Sequence, residues 1–206
     1  MMLPTHALVG MALALPIALL FPELGPAALL GGLIGGILPD LDMYSGHRRT
    51  LHFPTLYPIA ALVPVAAALV SPTPLTVGVA FVLLGAALHC RMDVYGGGLE
   101  LRPWEGTSDK AVYDHVSGEW LAPRRLVAYD GSKGDLGIAA AVAVPLFIFV
   151  EGPLLALVAA ALAVGAVYVL LRRRLANLAP TVFSQVPDPL AEYVPDRYRS
   201  PPAERP

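Results

Sequence analysis

The sequence predicts an all-α membrane protein: about six short transmembrane helices, with a cytoplasmic loop or cap between helices 4 and 5. Three observations carry this expectation. Hydrophobic residues make up 56% of the 206-residue chain and charged residues 15%, and the mean hydropathy is +0.62, which leaves too little polar surface to cover a soluble core. The apolar residues gather in six blocks long enough for helices, several of them shorter than the usual ~20-residue span. Lys and Arg are absent from alternate connections between these blocks, the asymmetry expected of a polytopic chain.

The first block, residues 7–21, follows MMLPTHALVG, which has no Lys or Arg. It therefore lacks the charged region of a cleaved signal peptide and is expected to stay in the mature protein. The second block, 24–38, stops at Pro39 in LPDLD. The third, 56–70, contains Pro58 and Pro64; the fourth, 75–88, runs into HCRMD; the fifth, 136–150, contains Pro145; the sixth, 153–171, meets Arg172–Arg174. Prolines inside these blocks, Pro16 included, are read as kinks, because neighbouring helices in a bilayer satisfy freed backbone groups.

Residues 1–171 are thus one polytopic domain, and 172–206 a basic, proline-rich tail expected to be extended or disordered. The loop 93–135 holds Tyr95, Trp104, Tyr113, Trp120 and Tyr129. Aromatics in that number suit a partly folded surface at headgroup level.

The odd-numbered connections, near residues 21–23, 71–74 and 151–152, contain no basic residue, whereas all 14 lie in the other connections or the tail. The positive-inside rule then puts both termini and both long loops in the cytoplasm, for a multi-pass protein of the cell's cytoplasmic (inner) membrane. The lipid bilayer is the implied partner, and no nucleic acid is expected. Cys90 is the only cysteine. That excludes an internal disulfide and a thiolate zinc cluster, so any metal must be held by nitrogen and oxygen.

With this topology His6, Asp40, Asp42, His47, His52, His89 and Asp93 all fall on one membrane face. Groups so costly beside a bilayer are usually kept for chemistry. His89 and Asp93 are spaced i, i+4, which stacks both on one helix face; an amphipathic helix end would show the same pair. Asp40 and Asp42 follow Pro39 and could approach one cation from a turn, or merely be turn residues. His47 and His52 bracket Arg48 and Arg49. Arg48 could grip phosphate or carboxylate oxygens or be a topogenic charge, while Arg49 reads as a charge snorkelling to headgroups. His6 gains weight only from its side of the membrane. His115 is attached to no apolar block and reads as solvent-facing.

Seven nitrogen and oxygen candidates exceed what one catalytic zinc uses and suit a dinuclear centre of divalent ions, Zn, Mn or Fe, with positions open for water. In that reading a spare Asp or His supplies general acid–base chemistry, and Asp42 and Arg48 are the catalytic candidates. Gly96–Gly98 could bring backbone N–H groups to an anionic oxygen, or simply be flexible.

The order TH, LPDLD, HRRTLH, HCRMD, a glycine-rich stretch and RPW resembles the YdjM-type family of membrane-bound, metal-dependent hydrolases, described as LexA-regulated inner-membrane proteins. The resemblance covers about residues 1–105 and rests on His6, Asp40, Asp42, His47, Arg48, His52, His89 and Asp93. The chain departs from the family where Leu51 replaces a threonine before His52 and Phe53 replaces a serine that often follows it, so a hydroxyl role there is not carried over. The resemblance implies a metal site more firmly than a reaction. The reading that follows is a membrane-bound, metal-dependent hydrolase acting at the cytoplasmic face on a phosphoester or lipid-linked anion. Its alternative is a non-catalytic membrane protein that binds metal structurally or serves a partner.

Overall fold

The fold is seen in a computed structural model, which describes residues 1–199. Six apolar helices carry it: α1 (Leu3–Leu20), α2 (Gly25–Ile37), α3 (Leu56–Val70), α4 (Pro74–Tyr95), α5 (Lys133–Phe149) and α6 (Gly152–Phe183). A two-stranded antiparallel hairpin, β1 (Val112–Asp114) and β2 (Glu119–Leu121), lies between α4 and α5, and two single turns, α7 (Asp188–Ala191) and α8 (Asp196–Arg199), follow α6.

Helix α2 is the centre of the bundle, packed between α1 and α4, while α3 leans on α4 and both α5 and α6 lean on α1. Its sequence explains why. Gly32 and Gly36 face α1, where a Cβ on Gly32 would strike the Gly10 carbonyl and one on Gly36 the His6 carbonyl. Gly31 and Gly35 face α4, where added methyls would strike the carbonyls of Gly78 and Val82. Pairs of small residues four apart let helix backbones touch, the usual contact where lipid removes the hydrophobic drive between helices. The connection to α4 is closed by a capping box in which Thr73 and Thr76 exchange hydrogen bonds, each backbone N–H donating to the other's hydroxyl.

Among the described residues, three helices, α1, α4 and α6, are both long and apolar enough to cross a membrane. Six spans were expected. Helix α2, at 13 residues, is about 20 Å long and falls short of a ~30 Å hydrocarbon core; α3 is apolar but also shorter than a full span. The six blocks were read from hydropathy, which locates apolar helices without measuring whether each spans.

The tail also differs from expectation. Helix α6 does not stop at residue 171 but continues to Phe183, because Leu, Arg and Ala in LRRRLANLA are strong helix formers. The expected tail continues into residues 200–206, which lie outside the described residues. In the 93–135 loop, Tyr113 pairs with Trp120 across the hairpin, and the Tyr113 N–H donates to the Arg48 carbonyl at 3.0 Å. A second staple runs beside the end of α4, where the N–H groups of Arg124, Arg125 and Val127 donate to the carbonyls of Val94, Gly96 and Tyr95.

Candidate metal centre

The close backbone contacts of α2 decide what meets at one end of the bundle. They bring the first turn of α1 with His6, the turn after α2 with Asp40 and Asp42, and the last turns of α4 with His89 and Asp93 to the same place. The segment after that turn then folds back and inserts His52. All of His6, Asp42, His52, His89 and Asp93 are buried, and the Asp40 side chain is only 10% exposed.

Four of the seven expected ligands aim at a common point. Asp40, His52, His89 and Asp93 each offer one donor atom, and the four atoms lie within 4.8 Å of one another. His89 Nε2 is 3.4 Å from both Asp40 Oδ1 and Asp93 Oδ2; His52 Nε2 is 3.4 Å from Asp93 Oδ2 and 3.7 Å from Asp40 Oδ1. A tetrahedral ion about 2.0–2.1 Å from each donor needs donor–donor separations of about 3.3–3.4 Å, which these four separations approach. Three of these atoms, His52 Nε2, His89 Nε2 and Asp93 Oδ2, are buried with no hydrogen-bond partner among the described residues. Buried polar atoms are rarely left so.

The partners behind the four ligands explain their orientation. His52 Nδ1 bonds Asp42 Oδ2 at 2.9 Å and His89 Nδ1 donates to the Gly36 carbonyl at 2.7 Å. With Nδ1–H engaged on each ring, the Nε2 lone pair is turned to the centre, the carboxylate–histidine and carbonyl–histidine support that metal-binding imidazoles commonly have. Asp93 is divided in the same way: Oδ1 receives the Met1 amine at 2.7 Å, His6 Nε2 at 3.1 Å and Arg48 Nη2 at 3.3 Å, and Oδ2 is left for the centre.

The other three expected ligands stand one step out. Asp42 has both oxygens engaged, with His47, His52 and the backbone N–H groups of Arg48, Arg49 and Leu51; it orients His52 and closes the turn, leaving it no free lone pair for the acid–base role expected of it. His6 stacks on His89 with ring centroids 3.7 Å apart and contacts Asp93. His47 contacts Asp42 at 3.2 Å and sits 3.8 Å from Asp40, with its side chain 15% exposed. The geometry therefore fits one ion held by four residues, where seven residues and a dinuclear centre were expected.

Arg48 is also placed differently from its expected anion-binding role. It is buried, in the left-handed backbone region at φ 61°, and its guanidinium donates to the Gly97 carbonyl at 2.8 Å besides facing Asp93. It holds the glycine stretch against the centre. Gly96 and Gly97 correspondingly spend backbone groups inside the protein: Gly96 N–H on the Asp93 carbonyl and the Gly97 carbonyl on Arg48. Arg49 is exposed and lies over the Tyr113 ring at 4.7 Å. His115 is exposed, with its ring 4.6 Å from that of Phe53.

Outside the helices, the carboxylates of the turn are held ionised. Burial alone would raise the Asp40 and Asp42 carboxyls. The nearby His89 imidazole at Asp40, and hydrogen bonds from His47 and His52 at Asp42, hold both below the usual carboxylate range. Burial works against a charged His52, yet the Asp42 and Asp93 contacts raise it above its ordinary value. His47 moves down, mainly through burial, against the pull of Asp42.

The α2 glycines are the residues that the motif reading passed over. GGLIGG shows them in the sequence: two glycine pairs, each spaced by four, on two faces of one helix. The supporting role of Asp42 has no such signal, because DLD gives two equivalent carboxylates until the turn is folded. The chain matches no family model, no curated protein and no solved structure.

Proposed function

We propose that this chain is an integral membrane protein that binds one divalent ion through Asp40, His52, His89 and Asp93 and uses it to hydrolyse an ester or phosphoester at the cytoplasmic membrane face. The convergence of three buried, unpartnered donor atoms on one point beside Asp40 carries the reading. The motif order resembling the YdjM-type hydrolases supports the reaction class.

When bound, a divalent ion supplies Lewis acidity to a carbonyl or phosphoryl oxygen. The chain does the rest. Asp42 and the Gly36 carbonyl hold the two imidazoles in register, and Arg48 with His6 keeps Asp93 turned inward. Asp40 is the most exposed of the four ligand side chains, so a substrate approaches over it. His47, beside Asp40 and partly exposed, is the side chain placed to exchange a hydrogen bond with whatever arrives.

One observation favours a second reading. Four protein donors complete a tetrahedron, the pattern of a structural ion, whereas catalytic sites usually keep a position open. Metal analysis and hydrolysis assays on the detergent-purified chain separate the two. The hydrolase reading expects about one ion per chain and metal-dependent turnover of water-soluble ester or phosphoester substrates. A metal-loaded protein that is inert on these and on bilayer-embedded esters and phosphoesters alike, and is only stabilised by its ion, establishes the structural reading.

A further inference from the structure

We propose that the substrate of this site is a bilayer lipid whose head carries a phosphodiester and an ammonium group; the inference rests on the hydrolase reading above. Depth is the first argument. His89 and Asp93 lie six and two residues from the end of α4, that is within about 9 Å of it at 1.5 Å per residue. A 22-residue helix is about 33 Å long and so nearly matches the hydrocarbon core. The donor cluster then lies at the edge of the hydrocarbon core, just beneath the lipid headgroups, within reach of a headgroup phosphodiester that stays in the bilayer.

The second argument is the cavity that opens beside it. A hollow of about 240 Å³ is lined by Met43, Tyr44 and His47 from the turn that carries Asp40, and by Glu192, Tyr193 and Val194 from the chain after α7. His47 joins it to the centre, being 3.8 Å from Asp40. Its walls are of two kinds. Tyr44 and Tyr193 are 65% and 59% exposed, amphipathic rings of the type that sits at the membrane interface. Glu192 is the acidic group on the wall.

Two tyrosine rings and a carboxylate attract an ammonium through ring faces and charge. A head that carries only hydroxyls can hydrogen-bond to them but offers no positive charge for the carboxylate and ring faces to attract. The phosphate, at the other end of such a head, points past His47 toward Asp40. In the hydrolysis itself, the oxygen of water bonds to phosphorus, the P–O bond to the leaving alcohol breaks, and a proton from that water ends on the alcohol.

The test uses the full chain in nanodiscs, with phosphatidylethanolamine and phosphatidylglycerol of identical acyl chains as probes. Native mass spectrometry is expected to show several-fold more retained phosphatidylethanolamine, and turnover is expected to favour it at least tenfold. Both preferences are expected to fall to within about twofold in Glu192→Gln, which keeps its metal. Equal retention of the two lipids, or a preference that survives Glu192→Gln, overturns the proposal. Faster turnover of soluble glycerophosphoethanolamine than of the bilayer lipid overturns it as well. Absence of turnover on every substrate defeats the hydrolase reading, and the retention measurement still decides the lipid.

Discussion

Two buried carboxylates at the same end of the bundle meet opposite fates, and adjacent residues of α1 touch both. Thr5 reaches Asp135, at the start of α5, whose carboxylate receives the Thr5 hydroxyl at 2.7 Å, the Met2 N–H at 2.7 Å and the Gly131 N–H at 3.0 Å. His6 reaches Asp93, whose Oδ1 is crowded with donors while Oδ2 has none. The Asp135 knot closes on itself: protein donors use up the charge, and α5 is pinned to α1. Around Asp93 the protein arranges donors on every side but one and turns two imidazole nitrogens toward the gap. Burial and charge are common to both places. The unsaturated donors at one of them separate a site from a strut.

The comparison breaks most visibly under paired substitution. His89→Ala is expected to reduce bound metal from about one ion per chain to less than a tenth of that, measured by elemental analysis, because a ligand is gone and its support from Gly36 has nothing to hold. Asp135→Ala is expected to keep the ion and lose about 3 kcal/mol of stability, read as a fall in Tm, because three donors lose their acceptor. If Asp135→Ala also loses the ion, the two regions are one unit.

Asp42→Asn sharpens the distinction within the site. It is expected to weaken metal binding roughly 10–100-fold in competition with a chelator, the usual cost of removing a partner from behind a histidine ligand. Unchanged affinity would return Asp42 to the role of an ordinary turn residue. Gly36→Ala acts on both regions through α1, and is expected to cost about 1–3 kcal/mol as the helices are forced apart. Weaker metal binding should accompany that loss.

The smallest expected effect concerns pH and a third acid, Asp130, bound by Arg172 Nε at 2.9 Å and the Tyr168 hydroxyl at 2.7 Å. Burial would raise its carboxyl, but Arg172 holds it below the ordinary value. A carboxyl lowered on folding adds stability above its unfolded pKa of about 3.9, and that stability is lost as pH falls through the folded value. The Tm gap between wild type and Arg172→Met should therefore narrow between pH 6 and pH 3. A gap that does not change with pH removes the ionic part of that contact.

Much of the site was legible in the chain because helix ends are. His6, Asp40, His52, His89 and Asp93 each flank an apolar block, and one topology placed them together. Which of them bind and which support was not legible. Asp40 and Asp42 differ only in how a turn of LPDLD rotates them, one toward the centre and one toward the Arg48, Arg49 and Leu51 amides. Arg48 looked like an anion-binding residue because sequence shows its charge but not its buried, left-handed backbone. The helical character was legible from hydropathy, whereas the end of α6 was not, since Arg172–Arg174 mark a change of solvent and leave helix propensity intact.

The glycine faces of α2 have a last consequence, for ion size. Where helices meet through side chains, rotamers can shift and a donor set can widen; where carbonyl meets glycine backbone, there are no rotamers to shift. The distance between the Asp40 turn and His89 is thus set by main chain against main chain, and the gap among the four donors is a stiff aperture. Its donor separations of 3.4–3.7 Å match an ion that binds at about 2.0–2.1 Å more closely than calcium, which asks for about 2.3–2.6 Å and more oxygen ligands. Any preference by radius would then be set by a helix that contributes none of the four donor atoms.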